Sequence, residues 1–389
     1  MQTPTEKLYD YDAYRTEFES EVLSCEERDG SYLVTLRATL FFPEEGGQAC
    51  DTGTLNGISV ASVQLNKDGS ITHVLPSPLP VGASVKGVLE FAPRYRKMQH
   101  HTAEHLISGI ANRLYGVRNV GFHLGADDVT VDFDRELDRY ALDKIEALAN
   151  EAIYKNLPVT ARYPSPEELQ TMTYRAKLDL TENVRIVSIP EYDDCACCAP
   201  HVARTGEIGI VKILDFMRYK GGVRLHLLAG MDALLDYRAR YAAVLQISNL
   251  LSAKQSEVVD AVGQLQNALI EEKRAQTALR NRILEEEIKR LPATPISGNL
   301  TVFSPLLEAR QLRELVNTGV KCCTGIFSAF AGDDQNGYTY NMGSASVDLR
   351  AMSKEINTAL SGRGGGSKEM IQGSVKANRE TIVSYFKKD

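Results

Sequence analysis

The alternation of apolar and polar positions indicates β structure in the first part of the chain. From Ser31 to about Glu90, runs such as SYLVTLRATLFF and GISVASVQL alternate with the turn-rich stretches EEGG, DTG, NG and KDGS. Short alternating runs bounded by glycine, asparagine and aspartate are typical of strands joined by tight turns. A small barrel or sandwich fits this pattern, and we predict a β-barrel domain over residues 1–92.

Helical and strand patterns are mixed between residues 93 and 230. HTAEHLISGIANRL has apolar residues at helical spacing and stops before Gly116, and RYALDKIEALANEAIYKN predicts a second helix. VTVDFD, PVTARYP and VRIVSIP are strand-like runs. GIVKILDFMRY and VRLHLLAG predict a hairpin that turns around Lys220 to Gly222. We therefore predict an α+β domain in this segment.

The third segment, residues 231–293, has a helical pattern. From Met231 to Leu291 there is no proline and one glycine, and apolar residues recur every three or four positions. This predicts two helices with Ser252 as the N-cap between them, forming an exposed or antiparallel helical arm. A helix pair packed on a core is the alternative. Residues 294–389 predict an α/β domain with a glycine-rich loop at GRGGG, so the chain is predicted to be an α+β multidomain protein.

The composition, 43% hydrophobic and 24% charged residues, is that of an ordinary soluble globular protein. No segment approaches the ~20 apolar residues needed to span a bilayer, and the first residues carry no export signal. Seven cysteines, three of them crowded in CACC, favour a reducing compartment. We therefore expect a cytoplasmic protein without membrane contact. The net charge of −7 gives no global basic footprint for nucleic acid, so any such surface is local.

Two short motifs carry the residue types that bind zinc. In HTAEH, His101 and His105 stand four residues apart, which places both imidazoles on one face of a helix. In CCAPH, Cys197 and His201 have the same spacing. Three imidazoles and one thiolate form a reasonable ligand set for one Zn²⁺.

Spacing alone leaves the sulfur ligand and the role of the ion open. Cys195 and Cys198 are alternatives to Cys197 as the sulfur ligand. A closed site with four protein ligands would have only a structural role, in which the ion holds a helix against a loop. HTAEH also fits the HxxEH pattern of inverted zinc proteases, with Glu104 as general base. That interpretation leaves Cys197 and His201 unused and accounts for neither the N-terminal β region nor the glycine-rich C-terminal segment.

Four longer motifs resemble one family. LFFPEEGGQACDTGTL, HTAEHLISG and CCAPHVARTGEIGIVKI resemble segments of the editing domain of alanyl-tRNA synthetase and of its freestanding relatives. GRGGGSKEMIQGSV resembles the glycine-rich signature of that synthetase's C-terminal domain. The motifs occur in the family's order and cover nearly the whole chain. Because too few residues precede Leu40 for an aminoacylation domain, the chain resembles a freestanding editing protein of the long type.

The resemblance implies a hydrolase that acts in trans and removes serine or glycine from mischarged tRNA(Ala). It implies one zinc per chain, with the ligands His101, His105, Cys197 and His201. The residues implied to contact substrate or water are Thr102, Glu104 and His123. Threonine is common in the family at the position of Glu104. Glu104 is alternatively a carboxylate on the helix surface. His123 is alternatively a strand histidine whose hydrogen bonds are satisfied in the core. A tRNA-binding protein with structural zinc and no enzymatic activity is the other candidate function.

The resemblance also implies that the C-terminal domain binds tRNA and pairs two chains. The candidate tRNA-binding residues are Arg363, Gly364, Gly365, Gly366, Lys368, Gln372 and Lys376. Glycines at such a site let RNA approach the backbone closely, or simply shape turns. No Gly-Lys-Ser/Thr sequence follows them, so ATP binding is not expected. Near the N terminus, the candidate substrate loop is Gly46, Gly47 and Gln48, with a β-turn of no further function as the alternative.

Overall fold

The computed structural model describes residues 4–125, 129–176 and 184–387. These segments contain eight α-helices and several β-sheets, which confirms the predicted α+β class. The chain divides into two compact units, Met1–Val244 and Leu245–Asp389. The finer domain boundaries at residues 92, 230 and 293 stay predictions. Among the described helices, none combines the length and the apolar character that a membrane span requires.

The first nine strands arise from the alternating runs of the N-terminal region. They are β1 (Glu6–Lys7), β2 (Glu17–Arg28), β3 (Ser31–Leu36), β4 (Ala38–Thr39), β5 (Gly53–Leu55), β6 (Ile58–Ser59), β7 (Ser62–Leu65), β8 (Ile71–Leu75) and β9 (Ser84–Leu89). Seven of them form one sheet in the order β6-β5-β9-β2-β3-β8-β7, while β1 pairs in parallel with β4. Every second residue of β9 is buried, because successive side chains of a strand point to opposite faces. Closure of this sheet into a barrel stays a prediction.

Helix α1 (Phe91–Tyr115) is enclosed by the surrounding protein over its middle turns. Every residue from His100 to Ala111 is buried, so polar side chains in this stretch must find partners inside the protein. The helix ends where Gly116 adopts a left-handed conformation with φ +62°, a common way for a glycine to terminate a helix. The predicted helix and its end before Gly116 are confirmed.

Two further sheets and two helices follow α1 in the first unit. The elements are β10 (Asn119–Leu124), β11 (Val129–Phe133), α2 (Arg139–Lys155), β12 (Thr160–Arg162), α3 (Pro166–Thr171), β13 (Ile186–Ile189), β14 (Asp193–Ala196), β15 (Val211–Tyr219) and β16 (Gly222–Ala229). They form the sheets β10-β11-β16-β15 and β12-β13-β14. The predicted hairpin is confirmed, since β15 and β16 are joined by Lys220 and Gly221 with φ of +47° and +83°, the positive values that a tight hairpin turn needs.

The segment predicted as a helical arm contains α4 (Gly230–Leu251) and α5 (Val258–Lys289), so the prediction of two helices is confirmed, while their forming an arm stays a prediction. The N-cap role predicted for Ser252 is wrong. Ser252 has φ +50° and follows the end of α4, whereas Glu257 is the N-cap of α5. The chain leaves α4 through this left-handed residue and passes through a short 3₁₀ turn, Gln255–Glu257, before α5 begins.

The last elements form a five-stranded sheet with three helices. They are β17 (Leu300–Phe303), α6 (Ala309–Gly319), β18 (Phe327–Asp333), β19 (Gly337–Gly343), α7 (Leu349–Ala359), β20 (Gly362–Gly366), β21 (Met370–Val375) and α8 (Arg379–Phe386). The sheet order is β17-β18-β19-β21-β20. The predicted glycine-rich loop is wrong, because GRGGG is the edge strand β20, paired antiparallel with β21. A Cβ on Gly364 would lie 2.3 Å from the Tyr340 hydroxyl, so this glycine makes room for a side chain of β19.

Candidate metal centre

The centre is built on one buried helix and one loop. Helix α1 presents His101 and His105 one turn apart, with ring centroids separated by 5.4 Å. The segment after β14 brings Cys197 and His201 against this pair, and the ring of His201 lies 4.8 Å from His101 and 4.5 Å from His105. One ligand atom from each of the four residues lies within 4.8 Å of all the others. The structure therefore brings together the four side chains that the sequence motifs single out.

Cys197 is the cysteine that faces the imidazoles. Its Sγ lies 3.6 Å from Nε2 of His101 and 3.4 Å from Nε2 of His201. Thiolate and imidazole ligands on one tetrahedral zinc ion would lie about 3.6 Å apart, which matches both distances. Cys195 groups instead with His105 and Asp193.

The Nδ1 atom of each histidine faces an oxygen outside the ligand set. Gln48 Oε1 lies 3.0 Å from Nδ1 of His101, and Asp193 Oδ2 lies 3.0 Å from Nδ1 of His105. Nδ1 of His201 lies 3.0 Å from Thr102 Oγ1. The Thr102 hydroxyl donates its proton to the carbonyl of the preceding turn, at Met98, so it accepts from the imidazole.

Two of these contacts each hold an imidazole in one tautomer. Nδ1 of His101 and Nδ1 of His201 each donate a hydrogen bond, so their Nε2 atoms keep the lone pair that a metal ligand needs. Nδ1 of His105 lies close to the Asp193 carboxylate but forms no hydrogen bond with it. Hydrogen bonds from the second nitrogen are the usual support of metal-bound histidines, and they fix the orientation of the ring. The arrangement is therefore preorganised for a cation.

The electrostatics of the site fit a zinc ion. Burial lowers the pKa of the His201 imidazole well below its ordinary value, and the nearby His105 and His101 lower it further, so the ring is in the neutral form that binds metals. Burial raises the pKa of the Cys197 thiol well above its ordinary value, and the nearby Cys198 raises it further. A bound cation would reverse this effect and stabilise the thiolate. The donor set of three imidazoles and one thiol thus suits Zn²⁺.

Asp193 contacts the candidate metal centre, and the sequence patterns do not reveal it. It is buried on β14, and its carboxylate receives two hydrogen bonds from Arg175, at 2.6 and 2.7 Å, while it also faces His105. A Cβ on Gly109 would lie 2.8 Å from the Asp193 side chain, so this glycine of α1 makes room for the carboxylate. Asp193 stands four residues before Cys197, but only the fold brings it to α1.

We expect Asp193→Asn to weaken zinc binding by about 10- to 100-fold, the usual cost of losing an outer partner of a metal-bound histidine. The substitution keeps the shape of the side chain and removes the charge that holds the His105 ring. Competition with a chromogenic chelator measures the affinity. Asp194→Asn is the matched control, because Asp194 is exposed and bonds to Ser188; equal affinities in the two variants would contradict the role of Asp193.

A cavity of about 700 Å³ adjoins the centre. His101, His105 and Cys197 form part of its wall, together with Glu104. Glu104 is buried, accepts hydrogen bonds from Ser108 and Asn119, and has its Oε2 4.0 Å from Nε2 of His105. The helix-surface alternative for Glu104 is therefore wrong. The cavity combines room for a small substrate with a carboxylate beside the histidine cluster.

The other residues implied to contact substrate lie in different places. Thr102 is fully buried and bonds His201, Met98 and Val202, so it positions a ligand. His123 is exposed on β10. The adjacent Phe122 packs on His101 at 4.9 Å between ring centroids, and neighbouring strand residues point to opposite faces. A catalytic role for His123 stays a prediction.

The GGQ segment forms a tight turn that places Gln48 on the metal centre. Glu45 and Gln48 exchange two backbone hydrogen bonds across Gly46 and Gly47, whose φ values are +64° and +84°. A Cβ on Gly47 would lie 2.0 Å from the carbonyl oxygen of Phe122, so this position requires glycine. Gly46 lines the cavity, while Gln48 is buried against His101. The turn therefore supports a ligand, and its contact with substrate stays a prediction.

The residues predicted to bind tRNA lie in the Leu245–Asp389 unit. Gly365 of β20 pairs with Gln372 of β21, and Arg363 lies two residues before Gly365 on the same strand. Arg363 and Gln372 are therefore on the same face of the sheet. All seven are exposed or half-buried: Arg363, Gly364, Gly365, Gly366, Lys368, Gln372 and Lys376. They form an accessible edge of the sheet with three basic side chains.

Comparisons with known proteins agree with these features. A family profile described as "Threonyl and Alanyl tRNA synthetase second additional domain" matches residues 184–225, the segment that contains Cys197 and His201. The chain is 28% identical over 396 residues to the alanyl-tRNA editing protein AlaX-L of Pyrococcus horikoshii, covering 97% of this chain and 96% of that protein. It is 25% identical over 397 residues to the alanyl-tRNA editing protein Aarsd1 of Rattus norvegicus, with the same coverage of both chains.

A longer relative shares only part of its length with this chain. The alanine--tRNA ligase of Halobacterium salinarum is 35% identical over 272 residues, which cover 65% of this chain but 29% of the ligase. The similarity to the two editing proteins, in contrast, extends over nearly the full length of both chains. The resemblance indicated by the four sequence motifs is confirmed: over 97% of its length this chain is similar to proteins named alanyl-tRNA editing proteins.

Proposed function

We propose that the protein is a hydrolase that acts in trans on tRNA(Ala) mischarged with serine or glycine. The observation that carries the proposal is the cavity of about 700 Å³ whose wall combines the His101, His105 and Cys197 side chains with the buried carboxylate of Glu104. Similarity to alanyl-tRNA editing proteins over 97% of the chain supports the substrate class. We expect the protein to act in the cytoplasm, where its seven cysteines stay reduced.

His101, His105, Cys197 and His201 would hold one zinc ion beside the cavity. When bound, the ion supplies a positive charge that polarises an ester carbonyl or orients a water molecule. The side chains of Gln48, Asp193 and Thr102 orient the imidazole rings of His101, His105 and His201, respectively. Loss of any of these supports would loosen the ligand set without removing a ligand.

Glu104 is the proposed general base. Its carboxylate takes a proton from water as the oxygen attacks the ester carbonyl carbon, and the bond to the ribose oxygen then breaks. The ribose oxygen leaves as a hydroxyl after receiving a proton, so the products are the free amino acid and tRNA(Ala). Ser108 and Asn119 hold the Glu104 side chain at the cavity wall. A positioned acid or base of this kind contributes about 10²- to 10⁴-fold to a rate.

Two tyrosines suit the single-stranded end of a tRNA. Tyr163 and Tyr174 line the cavity, and Tyr163 is 52% exposed. Unpaired bases stack on aromatic side chains with little regard for sequence, so a tyrosine at the cavity can hold a terminal nucleotide. We propose that these rings hold the terminal nucleotide while its ester enters the cavity.

A panel of labelled substrates tests the proposal against its alternatives. Zinc-loaded protein is expected to release serine and glycine from tRNA(Ala) well above the spontaneous rate, and alanine much more slowly. Cleavage of a labelled peptide without release from tRNA would favour a zinc protease instead. Binding of tRNA without turnover of any aminoacyl-tRNA would favour a protein whose zinc is structural.

Pairing of two chains through residues 294–389 is a further part of the proposal.

The edge of the C-terminal sheet is the proposed tRNA-binding surface. Arg363→Ala, Lys368→Ala and Lys376→Ala are each expected to reduce the slope of log affinity against log salt by about 1, the effect of one lost phosphate contact. Filter binding across a salt series measures the slopes. Lys289→Ala on α5 is the control, because Lys289 pairs with Glu286. Slopes identical to wild type in all three variants would place the tRNA elsewhere.

A further inference from the structure

Glu104 and Glu45, both at the wall of the cavity beside the candidate metal centre, differ in how their charges are satisfied. Glu104 accepts hydrogen bonds from Ser108 and Asn119. The Oε2 atom of Glu45 is also buried, but among the described residues no group donates a hydrogen bond to it. A buried carboxylate oxygen without a donor is destabilising, so it indicates a place for a ligand that brings a donor.

The position of Glu45 relative to the metal centre is fixed from two sides. Its backbone exchanges two hydrogen bonds with that of Gln48, the residue whose side chain contacts His101. Burial and, after it, the charge of Glu45 raise the pKa of the Cys198 thiol to about 12, because this thiol lies next to the carboxylate. Cys198 follows Cys197, which faces the imidazoles. The GGQ turn and the CCAPH segment therefore hold the carboxylate beside the metal centre.

The basic side chains at the cavity wall leave room for a charged ligand. Arg175 donates two hydrogen bonds to Asp193, and Arg185 donates to two backbone carbonyls. Lys7 also lines the cavity, and a lysine ammonium is a point charge that suits a phosphate. The wall thus offers a positive side chain, Lys7, and a negative one, Glu45. An amino acid esterified to a nucleotide carries both complementary charges, an ammonium group and a phosphate.

We propose that the Glu45 carboxylate binds the α-ammonium group of the aminoacyl ester, so that the protein hydrolyses free aminoacyl-tRNA and spares esters whose amino group is acylated, as in peptidyl-tRNA. This inference rests on the proposed hydrolysis. An ammonium group brings three N–H donors and a positive charge, which the buried oxygen lacks. Hydrogen bonds with a charged partner are roughly twice as strong as neutral ones. An acylated nitrogen keeps one N–H and no charge, so it would leave the carboxylate unpaired.

The role of Glu45 is to position the ester and to recognise the free amine. The carbonyl carbon is two bonds from the amino nitrogen, so anchoring the nitrogen restricts where the reacting carbon lies. Serine, glycine and alanine esters all carry the same ammonium group. Glu45 therefore does not choose between these amino acids, and Glu104 remains free to act on water.

Matched variants and matched substrates test the proposal. Glu45→Gln keeps the shape of the side chain and removes its charge. It is expected to lower kcat/KM for Gly-tRNA(Ala) by about 10- to 100-fold, the effect of losing a hydrogen bond between charged groups. N-acetyl-Gly-tRNA(Ala) is expected to be hydrolysed slowly, and equally slowly by wild type and variant. Glu44→Gln is the control, because Glu44 is the exposed neighbour and its substitution removes the same charge. Unchanged zinc content and circular dichroism show that the variants are folded.

Binding of two stable mimics separates this inference from the proposed hydrolysis. In 3′-glycylamino-3′-deoxyadenosine an amide replaces the ester, and its N-acetyl derivative has the amine blocked. Isothermal titration calorimetry of the zinc-loaded wild type is expected to show at least about 10-fold tighter binding of the free amine. Glu45→Gln is expected to remove this preference, and Glu44→Gln is expected to keep it.

The outcomes distinguish the two proposals. Equal affinities of the wild type for both mimics would overturn the ammonium site, because the carboxylate would then pair with Lys7 or with an inorganic cation. A preference for the free amine that Glu45→Gln retains would also overturn it, since the ammonium would bind elsewhere. If the wild type turned over no aminoacyl-tRNA but preferred the free amine through Glu45, the proposed hydrolysis would be contradicted and the ammonium site supported.

Discussion

Replacing Cys197 with alanine is expected to cause the largest single loss of zinc, more than about 100-fold in affinity, because the variant loses a ligand and not only an outer support. Cys197 Sγ is the sulfur atom 3.4 and 3.6 Å from the imidazoles of His201 and His101. The purified variant is expected to contain little zinc by atomic absorption. Its hydrolysis of Ser-tRNA(Ala) is expected to fall in proportion to the zinc it retains.

Cys198→Ala is the matched control for this experiment. Cys198 is the next residue, is similarly half-buried, and lies outside the four-residue cluster. It is expected to retain one zinc per chain and nearly full activity. Zinc retained by Cys197→Ala but lost from Cys198→Ala or Cys195→Ala would show that another thiol is the ligand. Thermal unfolding of each variant distinguishes loss of zinc from loss of the fold.

Replacing Glu104 with glutamine is expected to reduce kcat by roughly 10²- to 10⁴-fold, the contribution of a general base, while zinc remains bound. Glutamine has the same shape, and its amide oxygen can still accept the hydrogen bonds from Ser108 and Asn119. It lacks the negative charge needed to take a proton from water. Single-turnover hydrolysis of Ser-tRNA(Ala), with zinc content measured on the same samples, tests this prediction.

The choice of variant separates a chemical role from a structural one. Ser108→Ala removes one hydrogen bond to Glu104 but leaves its charge, so it is expected to lower the rate far less than Glu104→Gln. If Glu104→Gln retained most of the wild-type rate, the carboxylate would be a buried structural group and not the base. If both variants lost zinc to the same degree, Glu104 would act through His105 and not on water.

The parts of the site that follow from local spacing could be predicted from the sequence. His101 and His105 share a helix face because four residues make about one turn, and the left-handed Gly116 ends that helix as the sequence indicates. The hairpin at Lys220 and Gly221 was predictable for the same reason, because the turn residues themselves determine the conformation. The joining of CCAPH to HTAEH rests on the ligand types of the two motifs and on the family resemblance, since no local pattern links residues about a hundred positions apart.

The supporting residues could not be predicted, because they depend on tertiary contacts. Gln48 reaches His101 across 53 positions of the chain, and Asp193 of β14 reaches His105 of helix α1. The sequence predicts a candidate substrate loop at Gly46 to Gln48 but does not show that Gln48 contacts the His101 ligand. The glycines of GRGGG predict a loop because glycines often form turns, but Gly364 lies in a strand and is needed where the Tyr340 side chain of β19, the second strand along the sheet, lies close.

The most direct test of the central claim is to titrate metal-free protein with zinc while measuring hydrolysis of Ser-tRNA(Ala) and Gly-tRNA(Ala). The cluster of His101, His105, Cys197 and His201 at the wall of the cavity predicts that the rate rises with added zinc and reaches a plateau at one zinc per chain. Absence of hydrolysis at every zinc content, or a rate that does not depend on zinc, would contradict the account.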